Sequence, residues 1–160
     1  MKRAIALLEK HNLLKIISDE LDINLEIPHI AYVEVKRPDS KAILFTNVVD
    51  RKNSKKFKEP VLMNVFCNED AVKLFIGDGD KIGSEIESLL KLKPPVTFSE
   101  KLSTLGKLFS LKNTIPKKIK GKGICQEVIK LGADAKLSDL PVIKTWEEDG
   151  GAFITMGQVY

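Results

Sequence analysis

Two almost unbroken apolar runs constrain this chain more than any other feature: AILFTNV at 42–48 and VLMNVF at 61–66. A strand with one face in solvent alternates apolar with polar residues, and neither run alternates in this way. Such runs are typical of strands that are covered on both faces. The sequence therefore predicts a buried sheet, and the remaining residues have to supply the layers that cover it.

The segment before the first run predicts a helix, a strand and a second helix. Residues 2–11 carry apolar side chains at helical spacing, and LLKIIS at 13–18 reads as a strand. Because Pro28 fits only in the first turn of a helix, the second helix should begin near Ile27 and end before Pro38. The residues expected to face inward are Ala4, Leu7, Leu8 and His11 on the first helix and Ile27, Ile30, Ala31 and Val33 on the second.

Three further helices are expected after the second run. They lie at 68–76, with Asn68 as the cap, at about 80–92 and at 99–110. The middle one should present an apolar face made of Ile82, Ile86, Leu89 and Leu90. Strands and helices that alternate, followed by several helices together, predict an α/β (α+β) fold with a small mixed β-sheet flanked by helices.

The basic stretch TIPKKIKGKG at 114–123 breaks these periods with proline, glycine and lysine, and it reads as a linker. ICQEVI follows it and reads as a strand. The chain is therefore expected to contain an N-terminal α/β domain at 1–112, a linker at 113–124, and a segment at 125–160 that leads into another domain.

Composition excludes several classes of protein. With 160 residues, 43% apolar and 30% charged, the chain suits a single globular domain with a small appendage. Cys67 and Cys125 lie far apart without CxxC spacing, which argues against a disulfide framework and a zinc site. There is no secretory signal and no run of membrane-spanning length, so a cytoplasmic protein is expected. The basic residues are nearly all lysine, which disfavours specific nucleic-acid binding.

Few residues are spaced for metal binding or nucleophilic catalysis. GDGD at 77–80 resembles the start of a calcium loop, but Leu89 stands where a bidentate Glu is required, so a pair of helix caps is favoured. His11 and His29 lack a third ligand at matching spacing. Cys67 could be activated by a helix N-terminus, although a buried inert thiol is favoured.

The acidic turn at 147–149 is the remaining candidate for chemistry. Its carboxylates could serve acid–base catalysis, although a solvated turn is the default interpretation. With Gly150 and Gly151 the turn could also cradle a phosphate, but strand-like residues follow where a helix N-terminus is needed. Composition and spacing alone therefore reveal no assembled active site.

The C-terminal third carries a more specific pattern. It contains in order CQEV at 125–128, LSDLP at 137–141, TWEEDGG at 145–151 and FITMG at 153–157. In this order and spacing the four segments resemble the UbiD-type decarboxylases, the 3-polyprenyl-4-hydroxybenzoate carboxy-lyase family. Upstream, LLEKHNLLKI, LEIPHIAYVEVK, AILFTNV and PVLMNVF resemble the opening helices and strands of that family, so the resemblance covers the whole chain.

The resemblance implies a longer enzyme that decarboxylates aromatic or α,β-unsaturated acids reversibly. Prenylated FMN would be its cofactor, with Mn²⁺ and K⁺ helping to hold the flavin phosphate. A 4-hydroxybenzoate-type substrate, a role in quinone biosynthesis, peripheral membrane contact for a prenylated substrate and a homo-oligomer are expected. The family's catalytic Arg and Glu residues and its metal ligands follow the part matched here, so this chain alone should bind no cofactor or metal and should be inactive.

Thr155 is assigned a substrate-binding role by the resemblance, because it matches a Thr that lines the substrate side of the flavin. It lies on the strand at 152–160, the first strand of the family's flavin-binding split barrel. A strand without its barrel partners should pair with a neighbour, dock on a free sheet edge or fray.

A different class of function is a self-standing binding module for an acidic partner or RNA. Its contact residues would be the lysines of the 51–58 loop and of the linker, namely Lys55, Lys56, Lys58, Lys117, Lys118 and Lys120. Binding through phosphate contacts would weaken steeply with salt.

Overall fold

The computed structural model of the chain describes residues 2–91, 116, 118, 120–123 and 126–154. The elements of these residues are α1 (Lys2–Lys10), β1 (Leu14–Asp22), α2 (Glu26–Val35), β2 (Ala42–Asp50), β3 (Lys55–Lys56), β4 (Val61–Met63), α3 (Glu69–Ile76) and α4 (Gly79–Leu90), then 3₁₀ turns at Gly132–Asp134 and Leu137–Asp139. The chain forms two compact units, one of residues 1–79 with 136–160 and one of residues 80–135. The sheet belongs to the first.

Strand β2 organises the sheet, because every other strand pairs with it. β1 runs parallel to β2 along its length, with an irregularity between Ile17 and Glu20. β3 pairs antiparallel with the end of β2, and β4 pairs antiparallel with its beginning. A parallel pair requires a crossover connection, which α2 supplies between β1 and β2. The prediction of a small mixed sheet flanked by helices is confirmed, whereas the split barrel stays a prediction.

The first apolar run is covered on both faces, as its sequence predicts. The consecutive residues Ile43, Leu44 and Phe45 are all buried, although they point alternately to opposite faces of the sheet. The second run is a shorter strand than expected and ends at Met63. Asn64 takes a left-handed backbone conformation with φ 56°, which ends the extended chain there.

The core of the first unit includes a residue from the C-terminal part of the chain. Ile143 is 7% exposed and packs in a single cluster with residues of the sheet and α2. The other members are Ile23, Ile27, Ile43, Phe45, Val48, Phe57 and Val61. The predicted N-terminal domain at 1–112 therefore shares its core with a residue that lies outside those bounds. The boundaries proposed at residues 112–113 and 124–125 lie outside the described residues and stay predictions.

Helix α2 begins where the proline rule predicts, with Ile27 and Pro28 buried in its first turn. Val33 is 52% exposed, so its predicted inward position is wrong. The buried positions are Ile27, Pro28, Ala31 and Glu34. Ile27, Ala31 and Glu34 follow a helical spacing of four and three residues, which leaves Val33 on another face. Glu34 is buried as an ion pair, because its Oε2 accepts from Lys15 Nζ at 3.3 Å.

Helix α3 has well-defined caps at both ends. The side chain of Asn68 accepts a hydrogen bond of 2.9 Å from the N–H of Ala71, so the predicted cap is confirmed. Gly77 follows the last turn with φ 101°, and its N–H donates to the carbonyl of Lys73. GDGD thus begins as a helix C-cap rather than as part of a continuous loop.

The second unit contains α4, and none of the residues of this helix is buried. Leu90 in its predicted apolar face is 83% exposed. The strand predicted at 124–129 is wrong for residues 126–129, which form a 3₁₀ and bend segment. The helix predicted at 99–110 lies outside the described residues. Among the described helices, none has both the length and the apolar character that crossing a bilayer requires.

Candidate functional site

Residues 143–145, called here the connector, are joined to the first unit through their main chain. The N–H of Leu25 donates to the carbonyl of Lys144 at 3.0 Å, and the N–H of Lys144 donates to the carbonyl of Ile23 at 3.2 Å. Asn24 and Lys144 form a parallel bridge as a result. Two further hydrogen bonds, of 2.8 and 3.4 Å, link Ile143 with Phe153 across the acidic turn. The direction of the chain at 152–154 is therefore fixed by the turn at 23–25.

The turn at 22–25 has an unusual backbone that hydrogen bonds hold in place. Leu25 has φ 69°, in the left-handed region that costs a non-glycine residue about 1–2 kcal/mol. Asp22 Oδ1 accepts from the main-chain N–H of Asn24 at 2.9 Å and from its side chain at 3.1 Å. A strained backbone conformation persists only where several surrounding contacts hold it. At Leu25 these contacts include the hydrogen bonds to the connector.

A network of carboxylates and amides lies beneath this turn. Asp50 accepts from the side chain of Asn53 at 2.7 Å and from its main-chain N–H at 3.1 Å. Asn24 Nδ2 lies 3.5 Å from Asp50 Oδ1 and so joins the hydrogen bonds of Asp22 to those of Asp50. Asp22 and Asp50 are both buried, and these hydrogen bonds offset the cost of burying their charge. The network is a structural support, because its oxygens already have partners.

Glu26 links the start of α2 to the end of β2. Its carboxylate pairs with the guanidinium of Arg51 and accepts a 2.8 Å hydrogen bond from the N–H of Asp22. The backbone hydrogen bond and then Arg51 hold the pKa of Glu26 below its ordinary value. The pair is half exposed, so its contribution to stability is small.

An open cleft lies between α2 and the connector, with a volume of about 480 Å³. Its lining is mainly aliphatic and aromatic, and we call it the α2 cleft. The lining residues are Leu21, Leu25, Glu26, Pro28, His29, Ile30, Tyr32, Thr145, Trp146 and Glu147. A concave apolar surface with a few polar groups is the usual character of a small-molecule site.

Tyr32 and Trp146 dominate one end of the α2 cleft. Their rings meet edge to face, with centroids 5.4 Å apart and an interplanar angle of 76°. The N–H of Trp146 donates to Asp149 Oδ2 at 2.8 Å, so the acidic turn fixes the position of the Trp backbone. Lys36 Nζ lies 5.0 Å from the centre of the Tyr32 ring in a cation–π contact.

Among the residues that the structure describes, the sequence-predicted polar side chains are not brought together into a catalytic group. Thr155 lies outside the described residues. His11 is exposed beyond the end of α1, whereas His29 lines the α2 cleft. Asp149 serves as the cap of the acidic turn. Within the described parts of the chain, no three His, Cys, Asp or Glu side chains are placed to hold a metal ion.

Cys67 is a buried thiol, in line with the favoured interpretation of its sequence context. Its carbonyl accepts a 2.6 Å hydrogen bond from the hydroxyl of Ser40. Burial is the main reason that the pKa of the thiol lies above its ordinary value. A thiol with a raised pKa is a poor nucleophile, so Cys67 belongs to the packing of the unit.

The lysines of the alternative binding surface are partly engaged within the chain. Lys55 pairs with Asp139, with 3.5 Å between Nζ and Oδ1, and also donates to the carbonyl of Ser138. Lys56 Nζ lies 3.6 Å from a carboxylate oxygen of Glu20. Lys58, Lys118 and Lys120 are exposed, and Lys117 lies outside the described residues. Lys55 and Lys56 therefore have acidic partners of their own.

Comparison with protein-family models shows which family the chain belongs to. Residues 5–90 match the model of the 3-octaprenyl-4-hydroxybenzoate carboxy-lyase N-terminal domain, and residues 117–160 match the Rift-related domain of the same family. The chain belongs to the UbiD family. The resemblance inferred from the C-terminal motifs is thereby confirmed.

Relatives of the chain include uncharacterized proteins of two Helicobacter pylori strains, each 41% identical over the whole chain. An uncharacterized protein of Aquifex aeolicus is 38% identical over 95% of the chain. The chain spans 26% of the length of the Helicobacter proteins and 30% of the Aquifex protein.

The two matched UbiD regions meet at the connector. Ile23 and Leu25 fall in the N-terminal-domain match, and Ile143 and Lys144 fall in the Rift-related match. The α2 cleft likewise takes one wall from each match. The sequence offers Asp22 and Asn24 as caps of α2, but the cap position is Leu25, which makes no side-chain cap hydrogen bond. The pairing of Asn24 with Lys144 leaves no signal in the sequence, because main-chain pairing with a distant segment has no period to detect.

Proposed function

We propose that this chain is the N-terminal part of a prenylated-flavin-dependent decarboxylase or carboxylase of aromatic or unsaturated acids. The observation that supports this most is the presence of both UbiD matches, in order, on one chain. Within that enzyme, the part described here would carry and orient the start of the flavin-binding Rift-related domain. The hydrogen bonds of Lys144 to residues 23–25 are the physical basis of this orienting role.

The described residues do not fit the metal and phosphate site that such a cofactor needs. A phosphate-bound Mn²⁺ requires several free oxygen or nitrogen ligands, and no such group of acidic, His or Cys side chains occurs among the described residues. The oxygens of Asp22 and Asp50 are occupied by hydrogen bonds. We therefore expect the groups that hold prenylated FMN, Mn²⁺ and K⁺ to lie elsewhere in the longer protein, and we expect none of them to bind to this chain alone.

A 4-hydroxybenzoate-type acid is the proposed substrate, with quinone biosynthesis as the setting. The family description supports this choice, since it names a prenylated hydroxybenzoate carboxy-lyase. We further propose a cytoplasmic homo-oligomer that touches the membrane surface when its substrate carries a prenyl chain. Thr155 is proposed to line the substrate side of the flavin.

The test compares the protein of the complete reading frame with residues 1–160. Both are produced with a source of prenylated FMN and Mn²⁺, and flavin retention after gel filtration and CO₂ release from a panel of aromatic acids are measured. The longer protein should retain flavin and release CO₂, and residues 1–160 should do neither. Turnover or stoichiometric flavin binding by residues 1–160 would contradict the proposal, as would a flavin-loaded longer protein that decarboxylates no acid in the panel.

The alternative is a binding module for nucleic acid or an acidic partner. The salt dependence of RNA binding distinguishes it from the decarboxylase proposal. Binding of residues 1–160 to single-stranded RNA should be weak and non-specific. Submicromolar affinity at physiological salt, with a log–log salt slope equivalent to several phosphate contacts, would favour the module instead.

A further inference from the structure

The α2 cleft has the size and position of a small-molecule site. Its volume of about 480 Å³ falls within the range of roughly 300–1,000 Å³ that is usual for ligand pockets. Its walls come from both UbiD matches, and ligand pockets occur preferentially where domains meet. We propose that the α2 cleft binds small uncharged aromatic molecules of the phenol type. The choice of a phenol rests on the proposed function, because decarboxylation of a hydroxybenzoate leaves a phenol.

The aromatic side chains of the cleft are exposed and already fixed in place. Tyr32 is 44% exposed and Trp146 is 52% exposed, so both present ring surface to a ligand. Their edge-to-face contact, the cation–π contact of Lys36 with the Tyr32 ring, and the hydrogen bond from the main-chain N–H of Trp146 to Asp149 hold them in position before a ligand arrives. Such preorganisation reduces the ordering cost of binding, and aromatic ligands gain from edge and face contacts with such rings.

The charge of the lining selects against carboxylates. It contains two carboxylates, Glu26 and Glu147, and neither Lys nor Arg. Arg51 compensates Glu26, whereas the Glu147 carboxylate forms no ion pair within the described parts of the chain, although Lys144 Nζ donates to the main-chain carbonyl of the same residue at 2.9 Å. An aromatic acid would bring a like charge into this surface, while its decarboxylated product would not. The cleft should therefore distinguish product from substrate.

Polar groups at the connector side can receive a phenolic hydroxyl. The carboxylate of Glu147 is an acceptor, and the hydroxyl of Thr145 can accept or donate. The opposite wall is aliphatic, with Leu21, Leu25 and Ile30 available to cover the ring. This combination matches a molecule with one hydroxyl group and an otherwise apolar surface.

The chain contains a single tryptophan, so the ¹⁵N–¹H resonance of the Trp146 indole is an unambiguous probe of the cleft. Residues 1–160 are titrated with phenol and, separately, with benzoate at about pH 8, where one ligand is neutral and the other anionic. Phenol should shift the indole resonance in a saturable manner, and benzoate should bind at least about tenfold more weakly. Glu147→Gln should narrow that difference by improving benzoate binding.

Three variants test whether the phenol shift comes from binding in the cleft. Tyr32→Ala should abolish the saturable phenol shift, and Phe153→Ala, an exposed aromatic outside the cleft lining, should preserve it. Lys36→Gln should keep or increase the preference for phenol, because it removes a positive charge that lies 5.0 Å from the centre of the Tyr32 ring.

Four results would overturn the proposal: no saturable shift, equal binding of phenol and benzoate, a phenol response that survives Tyr32→Ala, or an indole shift that depends on protein concentration alone. The last would indicate that a second copy of the chain occupies the cleft. These titrations use neither flavin nor turnover, so their failure leaves the decarboxylase proposal standing. Failure of the decarboxylase assay likewise leaves a measured phenol site intact.

Discussion

The backbone N–H of Leu25 donates a hydrogen bond to the carbonyl of Lys144, and Leu25 does so from a left-handed conformation. The strained residue and the docked segment lie at the same place in the structure. The connector contact offsets part of the conformational cost at Leu25, and the fixed turn in return gives the connector a single alignment. Residues 143–145 are thus integral to the N-terminal unit.

Ile143 should contribute to stability as a core residue. Ile143→Ala should lower the free energy of unfolding by about 2–5 kcal/mol, because it removes buried methyl groups from the main cluster. Urea unfolding monitored by circular dichroism measures the loss, and Leu44→Ala in the middle of β2 provides the reference for a core truncation. Ile154→Ala, at an exposed position, should change stability by no more than about 0.5 kcal/mol. A similarly small loss for Ile143→Ala would show that the connector is not part of the core.

Glu26 should stabilise the fold in a pH-dependent manner. Its folded-state pKa is lowered, so the stabilisation is complete above the unfolded pKa near about 4.3 and is lost as pH falls through the folded value. Glu26→Gln should therefore be less stable than the native chain at neutral pH, and the difference should shrink at about pH 3. Urea midpoints at both pH values test this. A difference that is constant with pH would mean that the carboxylate charge plays no part.

Asn68 should act both as a helix cap and as a link to the loop before β2. Its Oδ1 accepts from the N–H of Ala71, and its Nδ2 donates to the carbonyl of Ser40 at 2.8 Å. Asn68→Ala should cost about 1–2 kcal/mol, whereas Asn68→Ser, which keeps a capping oxygen, should cost less. Equal losses in thermal or urea unfolding would assign the whole effect to the contact with Ser40.

Cys67 should react only when the unit opens. In a Cys125→Ser variant, the remaining thiol is buried and its pKa is raised, so labelling by a disulfide reagent in native buffer should be slow. Addition of urea should raise the labelling rate in step with the loss of circular dichroism signal. Rapid labelling without urea would mean that Cys67 is accessible in the native state.

Much of the fold follows from local sequence, because the buried runs and the helical periods act over short distances. Pro28 marks the start of α2, and Asn68 marks the start of α3, each through a rule about the first helical turn. Strand β3 was not predicted, since it has only two residues and both are lysines. Its position depends on pairing with β2, and no property of the two lysines predicts that pairing.

The candidate site was harder to predict than the fold. Trp146 is part of the family motif at 145–151, but its contact with Tyr32 joins segments that are distant in the sequence. The same holds for Ile143, whose partners lie in β2 and around α2. Such contacts are set by tertiary packing, which a single sequence does not display as a period. Val33 shows the opposite error, because its apolar side chain predicts a buried position and the structure leaves it exposed.

The docking of Ile143 also has a consequence for synthesis of the protein on the ribosome. The residues that surround this side chain, from Ile23 to Val61, leave the ribosome well before Ile143 itself is translated. During that interval the nascent chain has an open apolar site in its first folded unit, and its contacts of longest sequence separation are still missing. Ile143 can fill this apolar site only after the first part of the Rift-related match has emerged from the ribosome. Translation of the second UbiD region therefore completes the core of the first.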